Sequence, residues 1–218
     1  MPVAIGLYVA CELIANITAV KPVALGAGVL GAWLPGASGR LVVPAGVFVY
    51  ALTFTLLDLI NERLGKRGAR QVVGTALAAN ALLAGYAQLT VWWPAPAFFD
   101  GQAAVARVLG ATPRIVAASL TAYAVASLLD AELFAWWRAR VGGYRWVRVL
   151  VSNAVSTGVD SAVFVTLAFA GVLPLLPLIA GQYLVKMLVT VASLPLIYLI
   201  HAKPGAAARA ASAGRLAG

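Results

Sequence analysis

Glu12, Asp58, Glu62, Asp130, Asp160 and Lys186 lie within or at the edge of long apolar runs. An ionisable side chain in hydrocarbon costs roughly 2.5–3.5 kcal/mol even on the lenient insertion scale, so each is a candidate site residue. Helical neighbours sit three or four residues apart. On that spacing Glu12 shares a face with Asn16, and Thr55 with Asp58 and Glu62. Ser119, Tyr123, Ser127 and Asp130 form a third stripe, Asn153, Thr157 and Asp160 a fourth, and Gln182, Lys186, Thr190 and Ser193 a fifth. Helices with polar stripes turn them toward one another, because the alternative is to show them to lipid. A carboxylate accepts paired N–H donors, and an ammonium or carboxamide donates to a carbonyl. Such a set suits a flat, hydrogen-bonding solute in a polar cavity. The bland alternative is that a Ser or Thr bonds its own helix, and that Asp58, Glu62 and Asp130 are wetted at span ends.

The elements that must hold these stripes are membrane spans. The chain is 62% hydrophobic and only 11% charged, with a mean hydropathy of +0.93. A soluble domain carries about 25% charged residues, so lipid is the expected solvent. About 20 apolar residues cross a bilayer as a helix. Six spans are expected: Val3 to Val20, Leu41 to Ile60, Val72 to Trp92, Ile115 to Trp137, Val147 to Leu173 and Leu175 to Ile200. The fold class is thus all-α, an integral membrane bundle over residues 1–203, with an Ala/Gly/Ser-rich disordered tail over 204–218. Basic residues gather at Asn61 to Arg70, at Arg138 to Arg148 and in the tail. Short loops rich in Lys and Arg stay cytoplasmic, which places both termini inside the inner membrane. Trp92, Trp93, Phe98 and Phe99 suit the outer interface, and Trp136, Trp137, Tyr144 and Trp146 the inner one. Ala15 and Ala19, four residues apart, permit close helix approach.

The residues also carry a resemblance. Ala15-Asn16-Ile17 and Lys21 precede Pro44-Ala45-Gly46, Tyr50 to Phe54, and then Asp58-Leu59-Ile60-Asn61-Glu62-Arg63-Leu64-Gly65-Lys66 with Ala69-Arg70. Further on come Ala118-Ser119-Leu120, Ala122-Tyr123, Leu129-Asp130, Arg148, Ser152, Ser156, Asp160-Ser161, Phe164, Tyr183, Lys186, Pro195 and Tyr198. In this order and spacing they resemble the queuosine precursor transporter family, grouped with vitamin uptake transporters. The stretch from Asp58 to Arg70 is the specific part. The resemblance implies import of 7-deazaguanine derivatives, such as 7-cyano-7-deazaguanine, for tRNA queuosine salvage. It also implies a fold similar to the substrate-binding subunits of energy-coupling-factor transporters. Ser127 and Thr157 stand where the family commonly has glutamine, which leaves open which deazapurine or other planar base is carried.

On this reading Asn16, Asp160, Gln182 and Lys186 bind a nucleobase-like substrate, with Tyr123 or Phe164 against its ring. Asp160 and Lys186 are expected to pair with each other. Asp58 and Glu62, beside Arg63-Lys66-Arg67, suit a cytoplasmic latch, and with Asp130 they serve coupling or gating. Glu12 is a rival for the pocket or for coupling.

No enzyme, cofactor or metal site is expected. His201 is the lone histidine and Cys11 the lone cysteine, which excludes histidine-cluster metal ligation and an internal disulfide. No Gly-x-x-x-x-Gly-Lys-Ser/Thr loop occurs, so ATP-driven uptake would need a separate module. The formal charge of +9 sits in loops, which argues for a bilayer partner and against nucleic acid. Open alternatives are a vitamin-binding subunit working with an ATPase module, an ion channel or proton pathway, a structural subunit, and a homo-oligomeric assembly.

Overall fold

Long apolar stretches with few breakers fold as helices, and the breakers set their ends. The computed structural model describes residues 1–25, 41–140 and 145–201. Helix α1 spans Pro2–Thr18, with proline in its first turn, where the missing N–H is no loss. Two short strands follow, β1 (Pro22–Leu25) and β2 (Leu41–Pro44). Then come α2 (Gly46–Trp92), α3 (Gln102–Leu109), α4 (Thr112–Arg140), α5 (Arg145–Phe169) and α6 (Leu175–His201).

The strands add a two-stranded hairpin to the expected helical bundle. Leu41 to Pro44 is not the start of a span but an extended segment antiparallel to β1, with Pro22 opposite Pro44 and Leu25 opposite Leu41. Local preference permits it and the pairing fixes it: Val42 and Val43 favour an extended backbone, and Pro44 disfavours a helical residue before it. The Ala45 N–H closes the join by donating to Lys21 O at 2.8 Å. Extended backbone at membrane depth is tolerated only when protein covers it. Here Val43 and Pro44 are wholly buried and α6 packs along β2.

The expected charged loop over residues 61–70 is also absent. Helix runs through it, broken at one residue: Gly65 has φ 67° and ψ 178°, a region open essentially to glycine alone. α2 is therefore two arms. Arg63, Arg67 and Arg70 are exposed on the helix around the break. Residues 93–114, read as a loop, contain the short α3. Trp92, Trp93 and Phe98 at this end are exposed, as interfacial aromatics would be. The expected tail over 204–218 lies outside the described residues.

Among the described residues three stretches are long and apolar enough to cross a membrane: Arg67–Trp92, Gln102–Leu129 and Leu175–Ala192. Three shorter apolar helices accompany them: Pro2–Thr18, Gly46–Asn61 and Ala154–Phe169. This mostly helical make-up fits a membrane helix bundle. Between such helices lipid removes the hydrophobic drive, so small residues and polar bonds set the packing. Ala15 and Ala19 are buried, and Gly46 approaches α1 so closely that an added Cβ would collide with the Ala15 carbonyl. One core cluster joins Ala19, Ile115, Ala118, Val165, Phe169 and Leu178. A second joins Tyr8 to Ile60, Val72 and Ala76 from the two arms of α2. Arg114 ties α4 to the end of α5: its Nε donates to Leu167 O and its Nη2 to Ala170 O, both at 2.8 Å. These carbonyls have no intrahelical partner, and a cation there also meets the negative helix end.

Candidate functional site

Six elements contribute to one partly open cavity, whose empty space is about 400 Å³ with its open mouth included. α1 supplies Ala15, Asn16 and Ala19. The β2–α2 join supplies Pro44, Gly46, Val47 and Tyr50. α4 supplies Ser119 and Ala122, α5 supplies Asp160 and Phe164, and α6 supplies Gln182 and Lys186. The small residues are what leave the space, and the polar ones are what the stripes brought inward.

Lys186 is the electrostatic centre. Its Nζ donates to Asp160 Oδ2, and its charge lies 4.8 Å from the centroid of the Tyr50 ring. The Lys186 and Asp160 side chains are only 6% and 16% exposed, so water screens the pair little. A cation over an aromatic face gains about 2 kcal/mol when desolvated. Tyr50 is itself held edge-to-face on Phe54, with ring centroids 5.4 Å apart.

Asn16 is fixed from behind. Its Nδ2 donates to Asn80 Oδ1 at 2.7 Å, and Asn80 Nδ2 donates to Ala76 O at 3.0 Å. Both asparagines are buried, so α1 and the second arm of α2 are joined by a polar contact facing the cavity. Gln182 is 3% exposed, and its Oε1 has no hydrogen-bond partner among the described residues. A buried acceptor left unmade costs about 1–3 kcal/mol, so the cavity wall presents an acceptor ready for a donor.

The structure thus gathers Asn16, Asp160, Phe164, Gln182 and Lys186 around one space, and pairs Asp160 with Lys186. Tyr123 is not among the lining side chains and is 39% exposed. Glu12 lies one turn from Asn16, half-buried and outside the lining, within electrostatic reach of Lys186 and Asp160. The side chains of Asp58, Glu62 and Asp130 lie outside those described. Several hydroxyls bond their own helices: Thr53 to Tyr50 O, Thr121 to Ala117 O and Thr190 to Lys186 O.

Tyr50, Asn80 and the β2–α2 join were missed as site components. Tyr50 lies in the run from Tyr50 to Phe54 that carried the resemblance. Asn80, a carboxamide in the middle of an apolar run, was a legible signal. The wall made by the hairpin was not.

Comparisons with known proteins place this geometry in context. The family model described as "putative vitamin uptake transporter" matches residues 44–200. A curated protein named "Probable queuosine precursor transporter", from Bacillus subtilis (strain 168), is 28% identical over 163 residues, covering 72% of this chain and 71% of that one. No solved structure matches.

Proposed function

Since the chain belongs to the vitamin uptake transporter family, we propose that it imports queuosine precursors, 7-deazaguanine derivatives such as 7-cyano-7-deazaguanine, for tRNA queuosine salvage. The observation that carries this reading is the largely shielded Asp160–Lys186 pair in a cavity with a Gln182 acceptor that is unsatisfied among the described residues. A guanine-like edge offers two adjacent N–H donors beside a carbonyl. Asp160 accepts the donors, Lys186 donates to the carbonyl, Gln182 Oε1 takes a further N–H, and Asn16 adds a carboxamide. Phe164 presents the ring contact; Tyr123, outside the lining, drops out of the set. The name of the Bacillus subtilis relative supports the same substrate class.

In this reading the helices make six spans of the inner membrane with both termini cytoplasmic, around a cavity like that of an energy-coupling-factor substrate subunit. The cavity is built from the end of α1, the starts of α2, α4 and α6, and the later part of α5. Those parts share the outward half of the bundle, where a solute would be captured. Glu12, Asp58, Glu62 and Asp130 serve coupling or gating. The alternative reading is uptake of another small vitamin or nucleobase-like solute with an assisting ATPase module.

The test is rescue. A strain unable to make deazapurines but able to use them should regain queuosine in its tRNA when this gene is expressed at low external precursor. No rescue, with the protein demonstrated in the membrane, refutes the reading.

A further inference from the structure

We propose that Glu12 is the proton carrier of this transporter: one proton enters on its carboxyl with each solute. The inference rests on the import reading and adds the driving force to it.

Glu12 lies in the middle of α1, half-buried, one helical turn from the cavity-lining Asn16. Its carboxyl makes no hydrogen bond or ion pair with any described residue. Among the described residues, the ionisable groups that interact with it are Tyr8 on its own helix, Tyr50 from α2, Asp160 from α5 and Lys186 from α6. Among the described residues Lys186 is the one cation in that cluster, and it is already committed to Asp160 and to the face of Tyr50. The cluster therefore holds two carboxyls and one ammonium, and ionised throughout it carries one unmatched negative charge.

That charge decides the cycle. While the cavity is open, water can support it. A solute edge that donates to Asp160 and accepts from Lys186 leaves those two charges balanced and displaces the water. A bare carboxylate in a dry, low-dielectric site is costly, and a proton removes the cost. The loaded, closed cluster is neutral only with one proton, taken from the outer water by Glu12. Opening inward wets the site again, and the proton leaves to the cytoplasm. The unloaded cluster returns with its negative charge, a step that an inside-negative potential favours by about 2.3 kcal/mol per 100 mV.

The full chain in phospholipid vesicles, with the membrane potential held at zero, gives the test. With one proton per solute, an exterior one pH unit more acidic than the interior drives labelled 7-cyano-7-deazaguanine toward about tenfold accumulation. A pH dye trapped inside reports acidification on solute addition. Glu12→Gln should still exchange internal for external label but accumulate none above the outside level, with a silent dye. Equal filling with and without the gradient, proton release on uptake, or normal accumulation by Glu12→Gln overturns the proposal. If the Gln variant does not fold, Glu12→Asp and Glu12→Ala replace it: accumulation kept by the first and lost by the second supports the proposal, and accumulation by Glu12→Ala overturns it. Failure of wild-type vesicles to exchange the solute overturns the import reading and this inference with it. Intact exchange without proton movement overturns this inference only.

Discussion

Removing Lys186 should damage the protein more than neutralising its partner does, and removing both should be milder than removing Lys186 alone. Both side chains of the pair are largely shielded, at 6% and 16% exposure, so the low values typical of surface ion pairs do not apply. Lys186→Met leaves the Asp160 carboxylate without its cation, a loss of roughly 3–5 kcal/mol for a broken buried pair. Asp160→Asn is gentler. The ammonium keeps the Tyr50 face, 4.8 Å away, which retains up to about 2 kcal/mol, and the amide oxygen can still accept. The expected order of stability is wild type, then Asp160→Asn, then Lys186→Met, with the single variants about 1–2 kcal/mol apart. The double variant leaves no bare charge and should recover much of the Lys186→Met loss. Equilibrium unfolding of the purified protein in mixed micelles measures this cycle, and vesicle uptake is measured in parallel. Stability should return in the double variant while uptake stays abolished, because the solute has lost both charged partners. Strictly additive stability losses, or normal uptake in both single variants, would refute the coupled, solute-facing pair.

Two other substitutions probe the supports of the site. Asn80→Leu removes the partner of Asn16 without touching the cavity wall. At about 0.6–1.7 kcal/mol for an interhelical bond, half-saturation for uptake should rise roughly threefold to twentyfold, and an unchanged value would separate Asn16 from binding. Gly65→Ala places a Cβ on a backbone at φ 67°, costing about 1–3 kcal/mol. Gly74→Ala, at an ordinary helical position with open space around it, should be neutral or slightly stabilising, and thermal unfolding of the two variants compares them directly.

Polar side chains in apolar runs were legible because lipid leaves them few places to go. Asn16, Asp160, Gln182 and Lys186 therefore meet as their stripes required. Tyr123 shows where stripe reasoning runs out. Ser119 and Ala122 line the cavity, but at 3.6 residues per turn a residue four beyond Ser119 is rotated about 40° and displaced about 6 Å along the axis. The hairpin was illegible for another reason. Pairing Pro22 with Pro44 is a long-range choice, whereas apolar content alone made Leu41 to Pro44 look like the start of a span. The Gly65 break preserved the expected change of direction while replacing the loop with a single residue. Asn80 was visible in principle; it was passed over because it stands alone, without a second polar residue one turn away.

Strand β2 is sandwiched between β1, made at the start of the chain, and α6, made near its end. During synthesis the hairpin must therefore wait, its outer edge uncovered, until the ribosome has delivered the last helix. Only then do Gln182 and Lys186 arrive, so the proposed binding cavity is completed late. A nascent or truncated protein stopped before α6 would be both inactive and exposed along that edge, and so a natural client for membrane quality control.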